Sequence, residues 1–273
     1  MKVDFYSNLS FSDKYDHDLG AGCIRVFNTE EGLFILGGIR FGGFLKVATG
    51  GTVDKDDKTL WQTVDREAGI EETMGKLPFN EPIIHENTYT YRNEKKNSDG
   101  SYRGKGGKPI VYHTCVVTEN RKHDELVETI KWLNEQAKVH FDVGCYFMGR
   151  KFKKLNYGEI VKNNEELLSR AEKLEFKLLP VVEQQLKAEM NDKNNVIEQE
   201  YIQEWVDKTD ALKYSEYEKF YLVPLKNYLK VLKSVDSDNW DEVKKLKFKT
   251  DDENFYTMFP PEHGASYYLL DKY

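Results

Sequence analysis

Apolar residues change their period along this 273-residue chain, and that change restricts its fold more than any other feature. The first half carries short apolar runs, rich in β-branched and aromatic residues and punctuated by glycine. In the second half apolar residues recur every three or four positions. Strands expose a period of two and helices a period of 3.6, so strands followed by helices predict an α+β chain. Gly22–Phe27 (GCIRVF) and Leu33–Arg40 (LFILGGIR) read as strands joined by the turn-prone Asn28-Thr29-Glu30-Glu31-Gly32, and Phe44–Ala48 reads as a third. A double glycine, Gly50-Gly51, a polar loop and a helical segment from about Thr59 to Glu72 come next. Two more strands are expected over Ile83–Arg92 and Ile110–Thr118, separated by the Gly- and Lys-rich connection Asn93–Pro109.

Beyond these, Asp124–His140 shows helical spacing through Leu126, Val127, Ile130, Leu133 and Ala137. Asn163 and Glu166 resemble a capping box that opens a second amphipathic helix, which Pro180 should break. From about residue 183 the chain reads as all-helical: Val196–Asp207, Ser215–Val235 with a kink at Pro224, and Asp238–Leu246. The aromatic tail Phe255–Tyr273 is expected to dock on the body. The resulting expectation is two units, residues 1–182 and an α-helical module over 183–273, with no internal repeat.

Composition narrows the function classes. With 39% hydrophobic residues, 17 Tyr and 15 Phe, the chain is globular and not disordered. A formal net charge of -7 argues against a general grip on nucleic-acid backbone, leaving only a local basic patch for such contacts. Cys23, Cys115 and Cys145 stand alone in sequence, which signals neither a zinc site nor a disulfide framework and suits a reducing compartment. The N-terminus has no apolar signal-like core, and no run approaches the 18 apolar residues of a membrane span, so a cytoplasmic location is expected.

The chemistry concentrates in GGTVDKDDKTLWQTVDREAGIEETMG, Gly50 to Gly75. Residues four apart share a helix face, so Glu67 and Glu71 are expected to stack and to repel each other unless a cation sits between them. Mg²⁺ or Mn²⁺ binds through such oxygens together with waters and phosphates. The bland alternative is a surface helix whose Asp65, Glu67, Glu71 and Glu72 face solvent. Gly69 is an oddity, because glycine inside a helix costs about 1 kcal/mol relative to alanine. A helix ending there would leave Glu71 and Glu72 on a loop.

This stretch resembles a degenerate Nudix box, G-x5-E-x7-R-E-U-x-E-E-x-G-U with U a bulky apolar residue. Anchoring on Arg66-Glu67 places Ala68 at U, Ile70 and Glu71 at the E-E pair, and Thr73 at the last glycine. Gly51 then falls one residue early, with Asp57 the nearest acid to the first glutamate and Lys58 in strict register. Anchoring on Glu71-Glu72 restores the E-E pair but puts Glu67 and Ala68 where Arg and Glu belong. The first register keeps carboxylates four apart and is preferred. The resemblance covers roughly residues 18 to 182.

What the resemblance implies is a Nudix-like α/β/α sandwich with a mixed sheet. Its reaction would be Mg²⁺- or Mn²⁺-dependent hydrolysis of a nucleoside diphosphate linked to another moiety, of the ADP-ribose or dinucleotide kind. Glu67 and Glu71 would hold the metal with Glu72 assisting. Arg66 would orient the acids with Asp57 as its ion-pair partner, and Gly50 and Gly51 would allow close approach. Arg40 closes the strand pair before the box and is a substrate-binding candidate. Glu159, in NYGEIV, is the candidate general base. The loop Arg92–Lys108 holds six Lys or Arg against two acids. Within it, Arg103 and Lys105 are candidate phosphate contacts, and capped or 5′-phosphorylated RNA is a conceivable partner, although a solvated loop explains these charges as well. His113 reads as a core or cleft-lining histidine. Tyr201, Trp205, Tyr214, Tyr217, Phe220, Tyr221, Tyr228 and Trp240 read as packing before base stacking. The rival function is a non-catalytic Nudix-type module that senses a nucleotide or binds protein or RNA.

Overall fold

The computed structural model describes residues 3–9, 17–40, 43–94, 96, 100–102, 107–147, 217–236, 239–243, 245–250, 254–258 and 263–273. The turn at Glu30-Glu31 joins β1 (Asp18–Thr29) to β2 (Gly32–Arg40) as an antiparallel hairpin, with Gly32 at φ 122° and the Thr29 hydroxyl donating to the Gly32 carbonyl at 2.9 Å. The expected third strand divides into β3 (Phe44–Lys46) and β4 (Ala48–Thr52), which pair with different neighbours, β2 and β1. β5 (Ile83–Asn93) and β6 (Ile110–Asn120) form an antiparallel pair. β6 lies parallel to β1 along its whole length, with Cys23 opposite Cys115.

Alternation along β1 assigns its two faces. Ala21, Cys23, Arg25 and Phe27 point one way, and Ile24 and Val26 the other, all buried. The first face carries the acid-rich helix of residues 60–71 and α2 (His123–Phe147), whose Leu126, Ile130, Leu133 and Ala137 fill the space beside Phe27 and Leu36. The opposite face packs Ile24, Val26, Ile35 and Leu45 under α3 (Leu225–Leu232) and the C-terminal residues Ala265 and Leu269. The sheet is mixed and is covered by helices on both faces, an α+β architecture.

The C-terminal expectation requires correction. Tyr217–Pro224 is not part of a kinked helix but a strand, β7, antiparallel to β2 with Ile35 opposite Val223 and Gly38 opposite Phe220. Its aromatic and β-branched residues suit a sheet covered on both faces, and Pro224 stops the ladder and precedes α3. Two further strands, β8 (Lys247–Lys249) and β9 (Phe255–Met258), follow, with β9 parallel to β3. Among the described residues of the expected Asp238–Leu246 segment, Trp240–Val243, α4, is helical. The described part of 183–273 therefore completes the same sheet instead of forming a helical module. The expected boundary at 182, the helix after Asn163 and the segment Val196–Asp207 lie outside the described residues. The tail does dock, through α5 (His263–Tyr267), the 3₁₀ turn Tyr268–Asp271, the fully buried Leu269, and Tyr273, whose hydroxyl lies 2.8 Å from Thr118 Oγ1. Among the described residues no helix is long and apolar enough to cross a membrane.

Candidate functional site

The acid-rich helix starts where Thr59, in extended conformation, accepts a hydrogen bond from the Gln62 backbone N–H at 3.1 Å, satisfying one orphan donor of the first turn. One short α-helical stretch follows, α1 (Leu60–Val64), before the backbone widens into a π-helix over Asp65–Glu71. Its signature is the N–H of Glu72 donating to the carbonyl of Glu67 at 2.9 Å, five residues back, and that of Gly75 to Ile70 at 2.8 Å. The helix does not end at Gly69. It runs to Glu71 with Glu72 as its C-cap, and the turn that follows passes through Met74 and Gly75, both with positive φ (51° and 70°). The glycine at 69 is explained by packing: a Cβ there would lie 2.9 Å from Asp65 Oδ1 and 3.0 Å from the Phe79 ring.

The wide turn changes which side chains meet. In this geometry a residue five positions on returns to the same side, so Arg66 and Glu71 face one another. Arg66 Nη1 donates to Glu67 Oε1 at 2.7 Å and to Glu71 Oε1 at 3.0 Å. Its Nη2 donates to Asp57 Oδ2 at 2.9 Å and to the Thr52 carbonyl at 3.0 Å. Burial alone would lower the Arg66 pKa, but its hydrogen bond to Asp57, the charge of Glu67 and the hydrogen bonds to Glu71 and Glu67 outweigh this and raise it. Asp57 is buried and also accepts from Thr63 Oγ1 and the Asp54 N–H, each at 2.9 Å. Desolvation pushes its carboxyl up, yet the bonds from Arg66, Asp54 and Thr63 hold it below the ordinary aspartate range. Asp57, expected as the ion-pair partner of Arg66, is thus its anchor.

The two glycines do different work. Gly50 faces β1, where a Cβ would meet the Ala21 carbonyl oxygen at 2.3 Å; it brings two strands together and not a loop against the helix. Gly51 faces the helix: a Cβ would lie 2.0 Å from Glu67 Oε1. Gly51→Ala is therefore expected to push the flexible end of Glu67 off Arg66, a loss of about 0.5–1 kcal/mol. Urea denaturation reads this directly, and an unchanged midpoint would show that Glu67 moves aside freely.

Glu72 turns inward. It is buried, with Oε1 3.6 Å from the ammonium of Lys46 on β3, which itself lies over the Tyr217 ring at 5.4 Å. Glu71 and Glu67 remain partly open, their side chains 31% and 20% exposed, so they and not Glu72 line the accessible side of the cluster. No group of three or more His, Cys, Asp or Glu arranged to hold a metal occurs among the described residues. Glu67 and Glu71 nevertheless converge on a single cationic nitrogen. A pair of converging carboxylates is the sparse donor set through which Mg²⁺ binds when phosphate oxygens complete its shell.

The other candidates scatter. Arg40 ends β2, paired through its backbone with Phe44 and Tyr217. Arg103, Lys105 and Glu159 lie outside the described residues. His113 is half-buried on β6 with Nδ1 3.1 Å from Thr90 Oγ1, and burial, then His17, lowers its pKa. Tyr217, Phe220, Tyr221 and Tyr228 are buried packing residues, while Tyr201, Trp205 and Tyr214 lie outside the described residues.

Sequence reasoning passed over Arg25 and Glu119. Arg25, 1% exposed, forms a buried ion pair with Glu119 through Nε at 2.9 Å and Nη2 at 2.7 Å, and its Nη1 donates to the carbonyls of Ala68 at 3.1 Å and Leu77 at 2.8 Å. The available signal was an arginine in the middle of the apolar run GCIRVF.

No protein-family model matches the chain, and no curated protein matches it. Among solved structures it is similar to an Ap4A hydrolase of C. elegans, at 19% identity over 38% of this chain and 70% of that one, with a TM-score of 0.28. A binary complex of C. elegans Ap4A hydrolase matches at 20% identity over 38% and 67%, TM-score 0.28. A Nudix hydrolase of M. smegmatis, RenU, matches at 20% identity over 39% and 60%, TM-score 0.26.

Proposed function

We propose that this chain is a Nudix-type pyrophosphohydrolase that cleaves a nucleoside diphosphate linked to another moiety, in the ADP-ribose or dinucleotide class, with Mg²⁺ or Mn²⁺. The observation that carries the reading is the convergence of Glu67 and Glu71 on Arg66 beside Gly51. The π-helix supports it further. A box spaces its Arg-Glu and Glu-Glu pairs one residue closer than Arg66-Glu67 and Glu71-Glu72 stand in this chain. A turn closed five residues back accommodates that extra residue, so both pairs fit on one helix and the two sequence registers cease to compete.

In this reading Glu67 and Glu71 are the donors for the divalent ion, which when bound polarises a phosphoryl oxygen and orients the substrate as a Lewis acid. Arg66, fixed by Asp57 and the Thr52 carbonyl, holds the two carboxylates at one point and limits their rotation. Glu72 is engaged with Lys46 and supports the helix from within. Glu159 is kept as the candidate base and Arg103 and Lys105 as candidate phosphate contacts, on the sequence argument.

A non-catalytic module that senses a nucleotide or binds protein or RNA is the second reading. It is favoured by the neutralisation of Glu67 and Glu71 by Arg66 without a third ligand beside them among the described residues. The deciding experiment incubates purified protein with Mg²⁺ or Mn²⁺ and a panel of ADP-ribose, dinucleotides, capped RNA and nucleoside triphosphates. Release of a nucleoside monophosphate from at least one substrate is expected. Absence of turnover across the panel with both metals removes the enzyme reading, and nucleotide binding without turnover establishes the second.

A further inference from the structure

The strand beneath the π-turn bonds to its backbone. In an α-helix the N–H of Glu72 would donate to the carbonyl of Ala68, four residues back. Here that N–H goes to Glu67, and the Ala68 carbonyl accepts instead from Arg25 Nη1 at 3.1 Å. The same nitrogen donates to the Leu77 carbonyl just beyond the helix, at 2.8 Å. Arg25 cannot easily shift. Glu119 holds its other two nitrogens, and the Phe79 ring lies under the guanidinium at 4.2 Å from the ring centre. Glu119 is held in turn by the Asn80 N–H and by Arg121, each at 2.9 Å. Gly69 completes the arrangement by leaving room for Phe79.

We propose that Arg25 is a positioning residue for the candidate site: by supplying the donor for the Ala68 carbonyl, it keeps the turn five residues wide and so keeps Glu71 facing Arg66, where it converges with Glu67 on one nitrogen. Without that donor the Glu72 N–H returns to Ala68 and the turn tightens to α. Each residue of an α-helix advances by about 100°, so Glu71 rotates away from Arg66 and Ile70, 41% exposed, swings toward its place. The functional half of this inference rests on the proposed roles of Glu67 and Glu71; the structural half does not.

The test is Arg25→Lys in the full chain, which preserves a positive charge opposite Glu119 but not the planar fork that reaches Ala68. A crystal structure of the variant is expected to show Glu72 N–H on the Ala68 carbonyl. A turn still five residues wide overturns the proposal, whether or not the protein is an enzyme. Mn²⁺ affinity, read by water-proton relaxation, is expected to fall about tenfold or more, with kcat reduced and KM little changed. The control is Ile35→Val, a core substitution on the opposite face of the sheet, with each protein assayed well below its own Tm. If the lysine variant binds Mn²⁺ as tightly as this control, the positioning role is excluded. If the parent protein neither binds Mn²⁺ nor turns over substrate, the proposed function fails, and the crystal structure alone decides the role of Arg25.

Discussion

Arg25→Met is expected to lower the free energy of unfolding by about 3–5 kcal/mol, the range for removing one partner of a buried ion pair. Arg25 is 1% exposed and its partner Glu119 equally buried, so the variant leaves a carboxylate without its main counter-charge. Arg121 stays 2.9 Å from Glu119 Oε2 and offsets part of the loss, which places the expectation toward the lower end. The carbonyls of Ala68 and Leu77 also lose their charged donor. Urea denaturation of the variant and of Arg25→Met/Glu119→Leu separates these effects. A buried pair replaced by apolar residues of similar volume is often neutral in stability, so the double variant should recover much of what the single one loses. A single variant as stable as the parent would show that the pair adds nothing to the fold.

Glu67→Gln and Glu71→Gln are each expected to reduce turnover by about 10²–10³-fold, the scale seen when one electrostatic group of an active site is removed. Glutamine keeps the shape that fits against Gly51 and beside Arg66 but removes the charge. Stability should change little, because both side chains are partly open and Arg66 retains Asp57. Glu72→Gln is the informative contrast: its carboxylate faces the buried Lys46, so its loss should show mainly in stability. Steady-state kinetics beside thermal melts distinguish the two patterns. Near-normal turnover in both Glu67→Gln and Glu71→Gln would remove them as metal donors.

The strand order of the first half and the start of the box helix were legible because their signals are local. Turn residues flank β1 and β2, and Thr59 caps the helix within three residues of itself. The π-turn was not legible as such. Glu67 and Glu71 stand four residues apart in sequence, and spacing alone does not reveal that the turn between them closes five residues back. Glu119 is separated from Arg25 by most of the described N-terminal half, and nothing in either neighbourhood points to the other. β7 was misread because the lysines and glutamates around YEKFYLVP imitate a helical surface, while its burial comes from β2, far earlier in the chain.

That last pairing also bears on how the chain is made. β2 emerges from the ribosome well before Tyr217–Pro224, which zips onto its edge only after the long intervening stretch. At synthesis rates of 5–20 residues per second, the wait is on the order of ten to thirty seconds. Through that interval the nascent chain carries the row of backbone donors and acceptors of LFILGGIR without its native cover, a template on which another chain can add a strand. The length of the middle of the sequence therefore fixes how long that edge stands open.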